Sequence, residues 1–268
     1  MDLHKPKPWR GVREFLKEYL IIVVGVLTAL AAESGVEWLH WRHMAEAARA
    51  AIVDDQKRML GYIGTRDMAS PCIARRLDEI EAILDRAAGE GRLPPLGEIG
   101  IPPRESWTMR GWDGIVSGQT LAHLPAEGAA RFTAQAVRLQ YLRGVRDSEI
   151  DDWAVLRGIR GAGRRLSDAE AADLRAALSR ARTNGYRMRN AGDQLGGMVI
   201  DSGLLSKAEM AAAWRVGADS VARAPDSICH PIAPIGTDRF EDRRLTEPPQ
   251  PPDRSYETAL DPHGVVVR

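Results

Sequence analysis

The chain of 268 residues carries 37 basic and 37 acidic side chains, a balance that leaves no net field to gather nucleic acid or an anionic surface. Aromatic residues make up only 6%, while Ala, Leu, Arg and Glu recur throughout, which favours helix over sheet. The two cysteines, Cys72 and Cys229, are too few for a disulfide scaffold but enough for one bridge in an oxidising compartment.

Near the start stands EYLIIVVGVLTALAAES, residues 18–34. Its uninterrupted apolar run, residues 19–32, is fourteen residues long, about 21 Å of helix at ~1.5 Å per residue. A hydrocarbon core of about 30 Å asks for about 20 residues, and the flanks supply the rest. Phe15 and Leu16 extend the run upstream, past Lys17 and Glu18, whose stems can snorkel. Val36, Trp38, Leu39 and Trp41 extend it downstream, with Trp9 and Tyr19 as interfacial aromatics at the other end. A transmembrane helix is expected over residues 17–36.

Lys5, Lys7, Arg10, Arg13 and Lys17 precede the apolar run 19–32, against Glu33, Glu37 and Arg42 just after it. The positive excess expects residues 1–16 in the cytoplasm and the remainder translocated. A cleaved signal peptide ending near Ala29-Leu30-Ala31 is the rival, and a buried core helix is a third reading. No Pro or Gly breaks the helix just before that triplet, and helical periodicity runs on into EWLHWRHMAEAARAAI. The anchor is preferred, and both anchor and signal put the body outside the cytoplasm.

The body, residues 37–222, reads as an all-α antiparallel bundle. One helix continues to about Ile63; a second is expected from Ser70 as N-cap and Pro71 as first helical residue, with Ile73, Leu77, Ile80, Leu84 and Ala87 as its stripe. Gly89 and Gly91 end it. Residues 93–106, LPPLGEIGIPPRES, hold four prolines and read as a loop over the bundle surface. A short helical piece follows, and then a long helix from Pro125 to about Arg160, carrying Leu139, Leu142, Ile150 and Trp153 on a face that also bears Arg146. Ser167 with Glu170, and Ser206 with Glu209, have capping-box spacing. Between them Leu174, Leu178, Ala181, Gly185, Met188, Gly192, Leu195 and Val199 form a heptad-like seam suited to close antiparallel packing. From residue 223 to 268 the periodicity vanishes and half of the sixteen prolines gather, so a Pro-rich extended or disordered tail is expected.

The segments REFLKEYLIIVVGVLTALAAE, CIARRLDEIEAIL and WDGIVSGQTLAHLP resemble those of a family of bacterial single-pass membrane-anchored helical proteins to which no activity is assigned. The resemblance implies an architecture and a place, the bacterial inner membrane with a periplasmic body. It implies no chemistry.

Catalytic signatures are missing: G-x-S-x-G, H-E-x-x-H, Walker A and C-x-x-C do not occur. GIRGAGRR at residues 158–165 lacks the Lys-Ser/Thr pair and reads as an interhelical turn. Glu37 with His40, near Glu33 and His43, is half of a carboxylate-bridged metal motif without its second half. No cofactor or metal is expected. Arg180, Arg182, Arg187 and Arg189, with Arg157, Arg160, Arg164 and Arg165, read as salt-bridged surface rather than as a lipid-gripping patch.

Residues 107–124 are the most unusual part of the body. Trp107, Trp112, Asp113, Ser117 and His123 could line a ligand or partner groove, although the simpler reading has the tryptophans sealing the bundle with Asp113 and Ser117 as caps. Ser117 and His123 would be the first suspects in a hydrolase, for which an orienting carboxylate is missing. On the membrane helix Gly25, Ala29, Glu33 and Glu37 recur four apart, a small-residue face for a protein partner or a second copy. The expected function is a membrane-anchored module acting by protein interaction, without catalysis; a ligand sensor and a hydrolase of unrecognised type are the alternatives. A bridge between Cys72 and Cys229 is expected to hold the tail to the bundle.

Overall fold

A computed structural model describes residues 11–223, 228–232 and 235. Trp9 and most of the Pro-rich tail, residues 236–268, lie outside the described residues. Among the described residues there are five α-helices and no strand: α1 (Val12–Glu90), α2 (Arg110–Ser117), α3 (Ala126–Leu156), α4 (Asp168–Ser202) and α5 (Lys207–Arg223), with short 3-10 turns at Thr120–His123 and Arg157–Ile159. The all-α class is observed. The chain divides into two compact units, Met1–Arg49 and Ala50–Arg268.

In the first unit α1 carries a long apolar stretch. An 18-residue window within it has mean hydropathy 2.0 with none of it buried, and this is a stretch long and apolar enough to cross a membrane. Ile21 is 71% exposed and Ile22 64%. The Thr28 hydroxyl donates to the Val24 carbonyl at 2.8 Å, so it needs no solvent partner.

In the second unit α1, α3, α4 and α5 share one core. On α3 and α4, Arg131 reaches the Asp201 carbonyl, Gln135 the Met198 carbonyl, and Asp152 meets Arg180 and Asn184. Rising numbers on α3 meet falling numbers on α4, which makes the pair an antiparallel hairpin. Both expected capping boxes form: Ser167 and Glu170 exchange bonds at the start of α4, and Ser206 and Glu209 do so before α5. The stripe from Ile73 to Ala87 is buried, as is the α4 seam at Leu174, Leu178, Ala181, Met188, Leu195 and Val199.

Two expectations are corrected. No second helix begins at Ser70; α1 runs unbroken through Pro71. The missing proline N–H and its ring cost about 3 kcal/mol in a helix interior. Burial on both sides of the proline outweighs this, because Met59, Leu60 and Ile63 before it and Cys72, Ile73 and Leu77 after it enter one core. Ser70 Oγ, instead of capping, donates back to the Arg66 carbonyl at 2.7 Å. Gly61 and Gly64 lie where α5 crosses. A Cβ on Gly64 would overlap the Trp214 backbone, and one on Gly217 would overlap Gly61.

The second correction concerns residues 93–106, which do not simply lie over the surface. Leu93 and Ile99 are fully buried in the core. The loop pairs with the turn before α4: Leu96 and Gly161 exchange backbone bonds at 3.0 and 2.8 Å, and Leu93 N–H donates to Arg164 O at 2.7 Å. Buried Glu98 is gripped by Arg160 at 2.7 Å and Arg157 at 3.2 Å.

A candidate ligand groove between α1 and α5

The close crossing of α1 and α5 leaves a groove of ≈560 Å³ beside it. Lys57, Tyr62 and Thr65 of α1 form one wall, Ala213, Val216 and Ser220 of α5 the other, and Glu105 comes in from the loop. Spacing explains the walls: 57, 61 and 65 recur four apart on α1, while on α5 the neighbouring rows 209, 213, 217 and 216, 220 each step by four. Small residues at 61, 213 and 217 let the backbones approach and leave the space. Tyr62 is held upright by its edge-on contact with Trp107, centroids 5.5 Å apart, and by a hydrogen bond with Ser106 at 3.1 Å.

Charge in the groove is nearly all matched. Lys57 Nζ lies 3.2 Å from Glu209, whose carboxylate also caps α5. The α5 cap and Lys57 hold the Glu209 carboxyl down to about 2, the Ser206 backbone N–H and hydroxyl contributing most. Arg58 pairs with Asp55 at 2.5 Å. Asp55 also accepts the Trp112 N–H at 3.1 Å, so a residue of α1 caps the first turn of α2. Glu105 differs: half-buried and in no salt bridge among the described residues, it is pushed above the usual carboxylate range by burial, partly offset by the Thr65 hydroxyl.

The residues singled out at 107–124 are not gathered into one site. Trp107 and Trp112 are buried in the core, whereas Asp113, Ser117 and His123 are exposed. Neither the groove nor a ≈10 Å³ void beside Trp153 is lined by any of the five. Ser117 Oγ donates to the Gly114 carbonyl at 3.2 Å within its own helix. Trp107 takes φ 48°, a left-handed backbone costing about 1–2 kcal/mol, and its burial is what holds it there. The two tryptophans are buried, as the simpler reading expects, but its caps are not seen: the start of α2 has no side-chain cap bond from its own N-cap residue, and Ser117 bonds within the helix.

Gly25, Ala29, Glu33 and Glu37 are exposed along α1, and nothing lies within 4 Å of a Cβ placed on Gly25. Among the described residues no cluster of His, Cys, Asp and Glu is arranged to hold a metal. The arginine clusters are largely engaged: Arg182 meets Asp78 and Glu81, Arg180 meets Asp152, and Arg164 meets Glu170. Arg182 holds the Glu81 carboxyl below its usual range.

Cys72 and Cys229 are bonded, their Cα atoms 4.9 Å apart. The segment beyond α5 is seated there as well, since Arg76 donates to the His230 carbonyl and Ile228, Cys229 and His230 are buried.

The fold and the groove define a helical bundle carrying one long apolar helix. No protein-family model, curated protein or solved structure matches the chain.

Proposed function

We propose that the chain is a single-pass protein of the bacterial inner membrane, cytoplasmic at its N-terminus, whose periplasmic helical body works by binding a protein partner or a second copy rather than by catalysis. The observation that carries this reading is the apolar window of α1, none of which is buried. A soluble protein would cover such a surface; lipid is the solvent that suits it. Two further features support it. Basic residues are concentrated before the window, and the Cys72–Cys229 bridge belongs in an oxidising compartment.

The topology is tested with alkaline phosphatase fused after Arg160, which should be active outside the cytoplasm, and by mass spectrometry of the mature chain, which should retain Trp9. An inactive fusion overturns the orientation. A chain beginning near Ala32 overturns the anchor. For the partner, Gly25→Leu should weaken association in a membrane two-hybrid assay, because a bulky side chain on the small-residue face blocks close helix approach in lipid.

A further inference from the structure

The lining of the α1–α5 groove sets hydroxyl and carboxylate acceptors beside two cations that each already have a carboxylate partner. Ser220 Oγ directs its proton to the Gly217 carbonyl at 2.6 Å. Thr65 Oγ1 lies 3.0 Å from the Gly61 carbonyl, 3.1 Å from that of Gly217 and 3.4 Å from Ser220 Oγ, and its single proton is shared among these acceptors and the Glu105 carboxylate. Both hydroxyls are left with lone pairs. The cations around the groove are already engaged, Lys57 by Glu209 and Arg58 by Asp55. On the α3 side Arg146 pairs with Asp147 and donates to the backbone carbonyls of Glu105 and Ser106. Arg104, next in sequence, lines the separate void at Trp153. One carboxylate, Glu105, remains without a countercharge in a space whose volume falls in the range of small-ligand sites, about 300–1,000 Å³.

We propose that this groove binds a small primary-ammonium ligand, its charged head paired with Glu105 and its short carbon body lying over Ala213, Val216 and Gly217. An ammonium has three donors and no acceptor. The carboxylate, Thr65 Oγ1 and Ser220 Oγ are a matching acceptor set, and the alanine, valine and glycine surfaces suit a few methylene groups. A neutral alcohol of equal length leaves the carboxylate uncompensated, and a carboxylic acid is repelled by it. Keeping a half-buried carboxylate without a countercharge lowers the stability of the empty protein, and a cationic ligand removes that penalty on binding. The inference stands apart from the membrane topology, because every residue in it belongs to the second unit.

The test is calorimetric titration of the full chain in nanodiscs, with empty nanodiscs as the blank, using n-butylammonium and n-butanol as probes. Saturable binding of butylammonium and at least tenfold weaker binding of butanol are expected. Glu105→Gln should reduce butylammonium affinity at least tenfold while the chain still melts cooperatively. Ala213→Phe, which fills the groove and leaves the carboxylate in place, should abolish binding. Equal affinity for the two probes, unchanged affinity in Glu105→Gln, or no saturation at millimolar butylammonium overturns the proposal. So does an affinity that falls as protein concentration rises, because a second copy would then be the occupant.

Discussion

Arg66 on α1 and Glu149 on α3 form a two-pronged ion pair inside the bundle, with N–O distances of 2.7 and 2.8 Å and both side chains almost wholly buried. Planar guanidinium and carboxylate match in this geometry, which fixes how α1 and α3 are aligned as well as holding them together. Removing one member leaves a buried charge. Arg66→Met is therefore expected to destabilise the bundle by about 3–5 kcal/mol, and Arg66→Met with Glu149→Leu to recover much of that loss. Urea unfolding followed by circular dichroism measures both. A double variant as unstable as the single one would show that the pair itself, and not the orphaned charge, dominates.

The α1–α5 crossing predicts a sharp contrast between glycines. Gly64→Ala and Gly217→Ala each put a methyl group into a backbone across the interface, and an overpacked contact of this kind costs about 1–3 kcal/mol or more. Gly144, on α3, has open space around its Cβ position. Gly144→Ala should stabilise by about 0.5–1 kcal/mol through the lower helix cost of alanine. Melting temperatures of the three variants, compared with the parent, decide the matter.

The disulfide closes a loop of 157 residues, for which chain entropy alone gives about 5 kcal/mol as an upper figure. Cys229→Ser should lower stability by up to that amount and free the segment 228–232 from α1. Thiol labelling of the unreduced, denatured chain should find no free cysteine. Two labelled cysteines per chain would mean that the bridge is absent from the mature protein.

Two carboxyls give opposite responses to pH. Glu209 is held at about 2 in the fold against 4.5 in an unfolded chain, so its contribution is present above about pH 4.5 and fades as pH falls toward 2. Ser206→Ala should therefore lower the melting temperature more at pH 6 than near pH 2, where only the loss of the hydroxyl cap on the Glu209 backbone N–H remains. Glu105 is raised, so its ionised form penalises the fold above that raised value, and the penalty disappears below 4.5. Glu105→Gln should raise the melting temperature at pH 7 and leave it unchanged at about pH 3.5. A fall at pH 7 would mean that Glu105 has a stabilising cationic neighbour.

What the sequence determined by itself was local. The stripe at Ile73, Leu77, Ile80, Leu84 and Ala87 is legible because a helix repeats its face every three or four residues. The boxes Ser167–Glu170 and Ser206–Glu209 are legible because donor and acceptor lie within one turn. The cysteine pair was legible by number, two cysteines allowing one bridge within a chain. Tertiary structure decided whatever joins distant residues. Pro71 remains inside a helix because burial on both sides outweighs a local penalty that a sequence window registers alone. Gly61, Gly64 and Gly217 serve a close approach between helices about 150 residues apart, which no local window contains. Asp55 caps a helix 57 residues away, and no cap motif of fixed spacing describes such a contact. The groove with Glu105 belongs to this second class. Its walls come from α1, α5 and a loop between α1 and α2, and the isolation of its carboxylate depends on which cations each helix turns elsewhere.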